Sequence, residues 1–203
     1  MRLSKKYRLD RSVPILTIFV VIGTIITYAS SDLTSFLIYD RNLIIEGQYW
    51  RILTANFVHF DGRHLFFNLT SFMMIGVWLE QLNRNLFGLL LITMSLTISF
   101  FLLLAKPDLI YYGGLSAIGY GSCYFLALIG TGQSQPWKKL SLLFLILLPI
   151  KIISDVFLEE RLLFADSPIR IVWESHAAAI LFASFLFFII KNRECRFKKP
   201  GTK

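Results

Sequence analysis

Cysteine, histidine and charge are all scarce in this chain of 203 residues. It has two cysteines, three histidines and 17% charged residues. Cys123 lies in an apolar run and Cys195 in a basic tail, so there is neither a disulfide framework nor a Cys-x-x-Cys metal or redox motif. There is no His-Glu-x-x-His, and the five-residue step from His59 to His64 does not set two ligands on one helical face, which argues against a metalloprotease. No internal repeat, low-complexity tract or composition break marks a second domain, so residues 1–203 read as one domain. What the chain has instead is apolar mass: 55% hydrophobic residues and a mean hydropathy of +0.61 describe a membrane protein.

Apolar runs of about 17 to 25 residues predict six spans, near 14–30, 64–80, 86–105, 114–130, 140–158 and 171–190, followed by a basic tail at 191–203. The basic opening and the small residues Ala29, Ser30 and Ser31 imitate a signal peptide, but five further apolar segments favour a retained first span. Lys and Arg exceed Asp and Glu by 21 to 13. Fourteen of the basic residues fall on the side that holds both ends, and six (Arg41, Arg51, Arg63, Lys106, Arg161, Arg170) on the other, with Lys151 left inside the fifth span. The positive-inside rule then places both termini in the cytoplasm and explains the basic charge without nucleic acid. The connection from Ser31 to Arg63 is too long for a turn. With Tyr49 and Trp50 as headgroup anchors and Arg51 reaching phosphate or carbonyls, it reads as an interfacial segment.

Polar groups at membrane depth are costly, so each is a functional candidate, with helix packing as the competing explanation. Ser116 opens the fourth span within "YYGGLSAIGYGSCYF", where a Gly-x-Ser pattern by itself fits a packing serine. His176 lies at a similar depth in the sixth span. Ser116, Tyr120 and Cys123 share one stripe, so Tyr120 can support an imidazole that faces Ser116. Ala179 and Ala183 continue from His176 as small residues that let the fourth and sixth spans approach. In the second span His64 and Asn68, four apart, offer an imidazole and a carboxamide on one face as oxyanion donors, and His59 falls in the preceding loop as a supporting residue. No carboxylate is evident for His176. Glu174 is rotated about 200° away on a helix, and Glu80, Asp61 and Asp166 sit at span ends or in loops.

The combination "GQYWRILTANFVHFDGRHLFFNL", then "GGLSAIGYG", then "WESHAAAILFA" resembles the rhomboid family of intramembrane serine proteases. The resemblance implies an all-α bundle of six transmembrane helices, with Ser116 as nucleophile and His176 as general base. It implies an oxyanion site from His64, Asn68, Gly114 and the Ser116 backbone N–H. Tyr120 would pack on the imidazole, and Trp50 and Arg51 would be the Trp-Arg pair of the membrane-embedded loop. It further implies no cofactor and no metal, a membrane-anchored protein as substrate, and a bacterial inner-membrane location with the active site facing outward. Two positions depart from the family pattern: Ala117 follows the serine where glycine is usual, and Ala179 and Ala183 replace a Gly-xxx-Gly. The phrase "DRNLIIEGQYWRILTANFVHF" is similar to rhombosortases, which process proteins with a C-terminal Gly-Gly anchor. A catalytically silent relative that binds transmembrane clients is the alternative.

Overall fold

The computed structural model describes residues 12–158 and 172–197. The basic N-terminal head, Arg161, Asp166, Arg170, the side chain of Cys195 and the tail after Phe197 lie outside the described residues. Nine described α-helices, a short 3-10 helix (Ala55–Phe57) after the fourth of them and a two-stranded pairing follow in chain order. They are α1 (Ile15–Ala29), α2 (Ser31–Leu37), β1 (Tyr39–Asp40), α3 (Arg41–Ile45), α4 (Trp50–Thr54), α5 (Gly62–Leu82), α6 (Arg84–Ala105), β2 (Tyr111–Tyr112), α7 (Ser116–Gly130), α8 (Trp137–Leu158) and α9 (Trp173–Phe197).

Four of these helices, α5, α6, α8 and α9, are each long and apolar enough to cross a bilayer, and α1 with α2 makes a fifth candidate bent by 113°. The bend has a local cause. Ser30 is extended, and its hydroxyl accepts the Leu33 N–H, so it ends α1 and caps α2 in one residue. The expected fourth span is an apolar helix of 15 residues, about 22 Å at 1.5 Å per residue and short of a hydrocarbon core of about 30 Å. The last helix runs seven residues past the expected end at 190, because charge ends an apolar window without ending a helix.

Faces turned to the surroundings are apolar, and the buried faces where helices meet carry polar as well as apolar side chains, as expected of a chain whose solvent is lipid. α1 buries Thr17, Thr24 and Thr27 and exposes Ile18, Phe19, Ile22, Ile25 and Ile26. Its N-terminus is held by the buried carboxylate of Glu80, which accepts the N–H groups of Leu16 (3.0 Å) and Thr17 (2.9 Å), the Thr17 hydroxyl (2.9 Å) and Arg84 Nε (3.1 Å). Those N–H groups have no partner inside the helix. Asp61 caps α5 by accepting the His64 N–H, and Asn83 ends α5 and caps α6 by accepting the Leu86 N–H.

The core is a stripe of α6 (Phe87, Leu90, Met94, Ile98, Leu102) packed on Phe72, Ile118 and Phe125. α7 and α9 press together on small residues. Ala117, Ala179 and Ala183 are fully buried, and a Cβ at Gly121 would stand 3.0 Å from the Ala179 carbonyl and 2.5 Å from Met94 Sδ. The methyls of Ala117, Ala179 and Ala183 are thus accommodated in the packing, with Gly121 providing the close approach.

The long connection is a folded block. Arg51 is buried and donates Nη1 to the carbonyls of Ser35 and Ile38 and Nε to Gln48 Oε1, each at 2.8 Å. Trp50 stacks on Phe36 and donates Nε1 to its carbonyl at 3.1 Å. β1 then pairs antiparallel with β2, Tyr39 opposite Tyr112 and Asp40 opposite Tyr111, which ties this block to the strand that leads into Ser116.

Candidate active site

Ser116 is the first residue of α7, so its own N–H has no acceptor within the helix and the positive end of the helix dipole lies beside its hydroxyl. The approach is through Gly113 and Gly114. Gly114 has φ +140, and a Cβ there would lie 3.2 Å from His64 Cε1 and 3.8 Å from both His64 Nε2 and Ser116 Oγ. The space left by that missing side chain is bounded by the serine hydroxyl on one side and an imidazole edge on the other. A cavity of about 1030 Å³ opens there, lined in part by His59, His64, Tyr111, Ser116, Ser175 and His176.

His176, near the start of α9, is buried and stands with Nε2 3.0 Å from Ser116 Oγ. Tyr120, one turn below Ser116, lies parallel to the imidazole at a ring separation of 4.2 Å. That stack holds the plane of the ring so that Nε2 faces α7 and Nδ1 faces α8. Hydroxyl and imidazole at hydrogen-bond distance, with the ring oriented by a third group, is the arrangement that activates a serine oxygen.

The structure brings Ser116, His176, Tyr120, His64 and Gly114 together. Asn68 stands half-buried one turn below His64 and donates Nδ2 to His59 Nε2 at 3.0 Å. The Leu115 N–H donates to the same nitrogen at 3.4 Å. His59 thus accepts through Nε2 and stays neutral. Burial, and then the neighbouring His64, lower its pKa to about 3. It lies in the loop before α5, as the spacing expects. Trp50 and Arg51 do not line the cavity; they hold the block beside it. Glu174 turns away from His176 and pairs with Lys106 at 2.6 Å.

One residue escaped the sequence reading. Asp155 of α8 is buried, and its Oδ2 lies 3.9 Å from His176 Nδ1 while its Oδ1 takes the Lys151 ammonium. The signal was present: a Lys and an Asp four apart inside an apolar span cost enough to require a reason. Among the described residues no group of three or more His, Cys, Asp or Glu is placed to share a metal ion.

No curated protein matches the chain by sequence. The Rhomboid domain family matches it over residues 46–193, from the end of α3 through most of α9, and so includes every residue of the site just described. Members of that family are integral membrane proteins that act within the bilayer, in general as serine proteases, with some inactive relatives. With 46–193 of its 203 residues matched and its helices apolar enough to cross a membrane, this chain belongs to the rhomboid family.

Proposed function

We propose that the protein is an active intramembrane serine endopeptidase, with Ser116 as nucleophile and His176 as general base. The observation that carries this reading is the 3.0 Å approach of His176 Nε2 to Ser116 Oγ at the head of α7. In attack on a peptide carbonyl, the Ser116 proton passes to Nε2 as the Oγ–C bond forms. It is returned to the leaving amine as the C–N bond breaks, and a water repeats the sequence on the acyl-enzyme. The carbonyl oxygen, gaining charge, sits in the space beside Gly114, within reach of the Ser116 N–H and His64, and Asn68 supplies its remaining amide proton from below.

Six crossings fit this chemistry, with α1 and α2 forming one bent crossing and α7 a short one. A helix of about 22 Å that starts at the serine leaves about 8 Å of membrane depth above it. The cavity fills that depth and gives water a way to Ser116. The Lys and Arg distribution supports cytoplasmic termini and a site opening to the outer face, as in a bacterial inner membrane. The substrate is then a membrane-anchored protein cut close to that face. The phrase 40–60 favours the rhombosortase branch and a C-terminal Gly-Gly anchor segment.

The test is co-expression with Gly-Gly-tailed surface proteins, mapping the new C-terminus by mass spectrometry, beside labelling of the purified chain with a fluorophosphonate. Cleavage and labelling that vanish in Ser116→Ala and cleavage that vanishes in His176→Ala are expected. A folded wild-type protein that neither labels nor cuts would favour the catalytically silent relative instead.

A further inference from the structure

We infer that Asp155 is the positioning residue for His176, so that the serine and histidine act with a carboxylate carried by α8. The inference rests on the protease reading above.

The two facing atoms each need the other. For Nε2 to accept the Ser116 proton it must hold the lone pair, so the ring proton sits on Nδ1 and needs an acceptor. His176 Nδ1 is buried and has no hydrogen-bond partner, and the same holds of Asp155 Oδ2, 3.9 Å away. A buried carboxylate oxygen and a buried ring N–H left unmet are both costly. The gap exceeds a charge-assisted hydrogen bond by about 1 Å, which a side-chain rotation or a small shift of α8 closes.

An ion pair with Lys151 does not account for the placement of Asp155. The side chain of Lys151 is 39% exposed, whereas that of Asp155 is 1% exposed, and a pair serving only charge balance could sit at the outer face of α8. Only Oδ1 goes to Lys151; Oδ2 is turned to the imidazole. When Nε2 takes the serine proton, the ring becomes an imidazolium with Nδ1–H aimed at a carboxylate that stays ionised, and the Nε2 proton then leaves with the amine. No proton reaches Asp155.

The experiment uses the full chain in detergent, with a transmembrane substrate and the fluorophosphonate, and compares Asp155→Asn, Asp155→Glu and Lys151→Met with Ser116→Ala and His176→Ala. Asp155→Asn is expected to lower kcat by about 10- to 10³-fold with KM little changed, less than the roughly 10⁴-fold loss seen where the orienting carboxylate is bonded directly to the imidazole, because the gap here is wider. Asp155→Glu should recover part of the rate, and Lys151→Met should cost far less than Asp155→Asn. In wild type, ¹⁵N-edited NMR should show a strongly downfield His176 Nδ1 proton. A wild-type Nδ1 signal like that of a solvated imidazole would overturn the inference whether or not the variants fold. So would a folded Asp155→Asn that keeps kcat within twofold while Ser116→Ala and His176→Ala are dead, and that result would leave the protease reading standing. Activity surviving in Ser116→Ala would instead remove the protease reading itself.

Discussion

Replacing Gly114 with alanine tests the oxyanion geometry more directly than removing any donor. At φ +140 a side chain is strained, at a cost of about 1 to 3 kcal/mol in stability. The new methyl would also stand 3.2 Å from His64 Cε1, so the imidazole must give by a few tenths of an ångström, and 3.8 Å from Ser116 Oγ, inside the space proposed for the carbonyl oxygen. Displacing one oxyanion donor costs about 10² to 10³ in kcat, or 2.7–4 kcal/mol. The loss should fall on kcat more than on KM, since the contact is made as charge develops. The control is Gly119→Ala on the same helix, where a Cβ meets nothing within 4 Å. It should leave the rate alone and stabilise by about 0.5 to 1 kcal/mol. The assay is cleavage of a transmembrane substrate in micelles, with melting followed on the same samples. A Gly114→Ala protein that keeps kcat/KM within threefold of wild type would refute the placement of the oxyanion beside Gly114.

Asn68→Ala should slow cleavage by about 10² to 10³ if its carboxamide serves the oxyanion, less if His64 compensates, and an unchanged rate removes Asn68 from the chemistry. Glu80→Gln leaves the start of α1 with weaker acceptors and should lower unfolding free energy by about 2 to 4 kcal/mol in a denaturation titration, with kcat of the folded fraction unchanged. Arg51→Lys cannot reach Gln48 and the carbonyls of Ser35 and Ile38 together, so limited proteolysis between Ser31 and Arg63 should speed up by about tenfold, from roughly 1.4 kcal/mol of lost local stability. His59 has a folded pKa of about 3 against 6.5 for the free side chain, so the unfolded chain binds its proton first. Its contribution is complete above pH 6.5 and fades as pH falls toward 3, by up to about 1.4 kcal/mol per unit. Melts at pH 7 and 5 should therefore diverge more in wild type than in His59→Gln, and equal slopes would contradict the neutral, acceptor role of His59.

What could be read from the sequence was whatever lies within one helix or stands out in an apolar run. Tyr120 follows Ser116 by four, which puts both on one stripe, and the rotation that turned Glu174 away from His176 follows from the same period. Helix period says nothing about which stripe faces which, so Asp155, on a different helix from Ser116 and His176, was invisible as a partner although its charge pair with Lys151 marked the span. The pairing of Tyr39–Asp40 with Tyr111–Tyr112 was equally hidden, because two residues carry no alternation to recognise. Hydropathy also passed over the break at Ser30, since an apolar window averages across a bend that one capping hydroxyl creates.

The three helices around the imidazole are not packed on one another to the same extent. α7 and α9 meet across Gly121 and Ala179 at backbone distance, so Ser116 and His176 cannot separate without opening that close contact. α8 packs on α7 and only sparsely on α9, and exposes Leu143, Ile146, Leu147, Ile150, Ile153 and Phe157 to the surroundings. A shift of α8 therefore changes the distance from Asp155 to His176 Nδ1 and leaves the distance from Nε2 to Ser116 Oγ as it was. The hydroxyl and the imidazole thus sit on the two helices that share the most extensive contact, and the carboxylate on a helix that packs mainly on α7. On the proposed protease reading, a substrate helix that entered beside α8 would meet a serine–histidine pair already in place, and the distance from Asp155 to the imidazole is the one its entry would change.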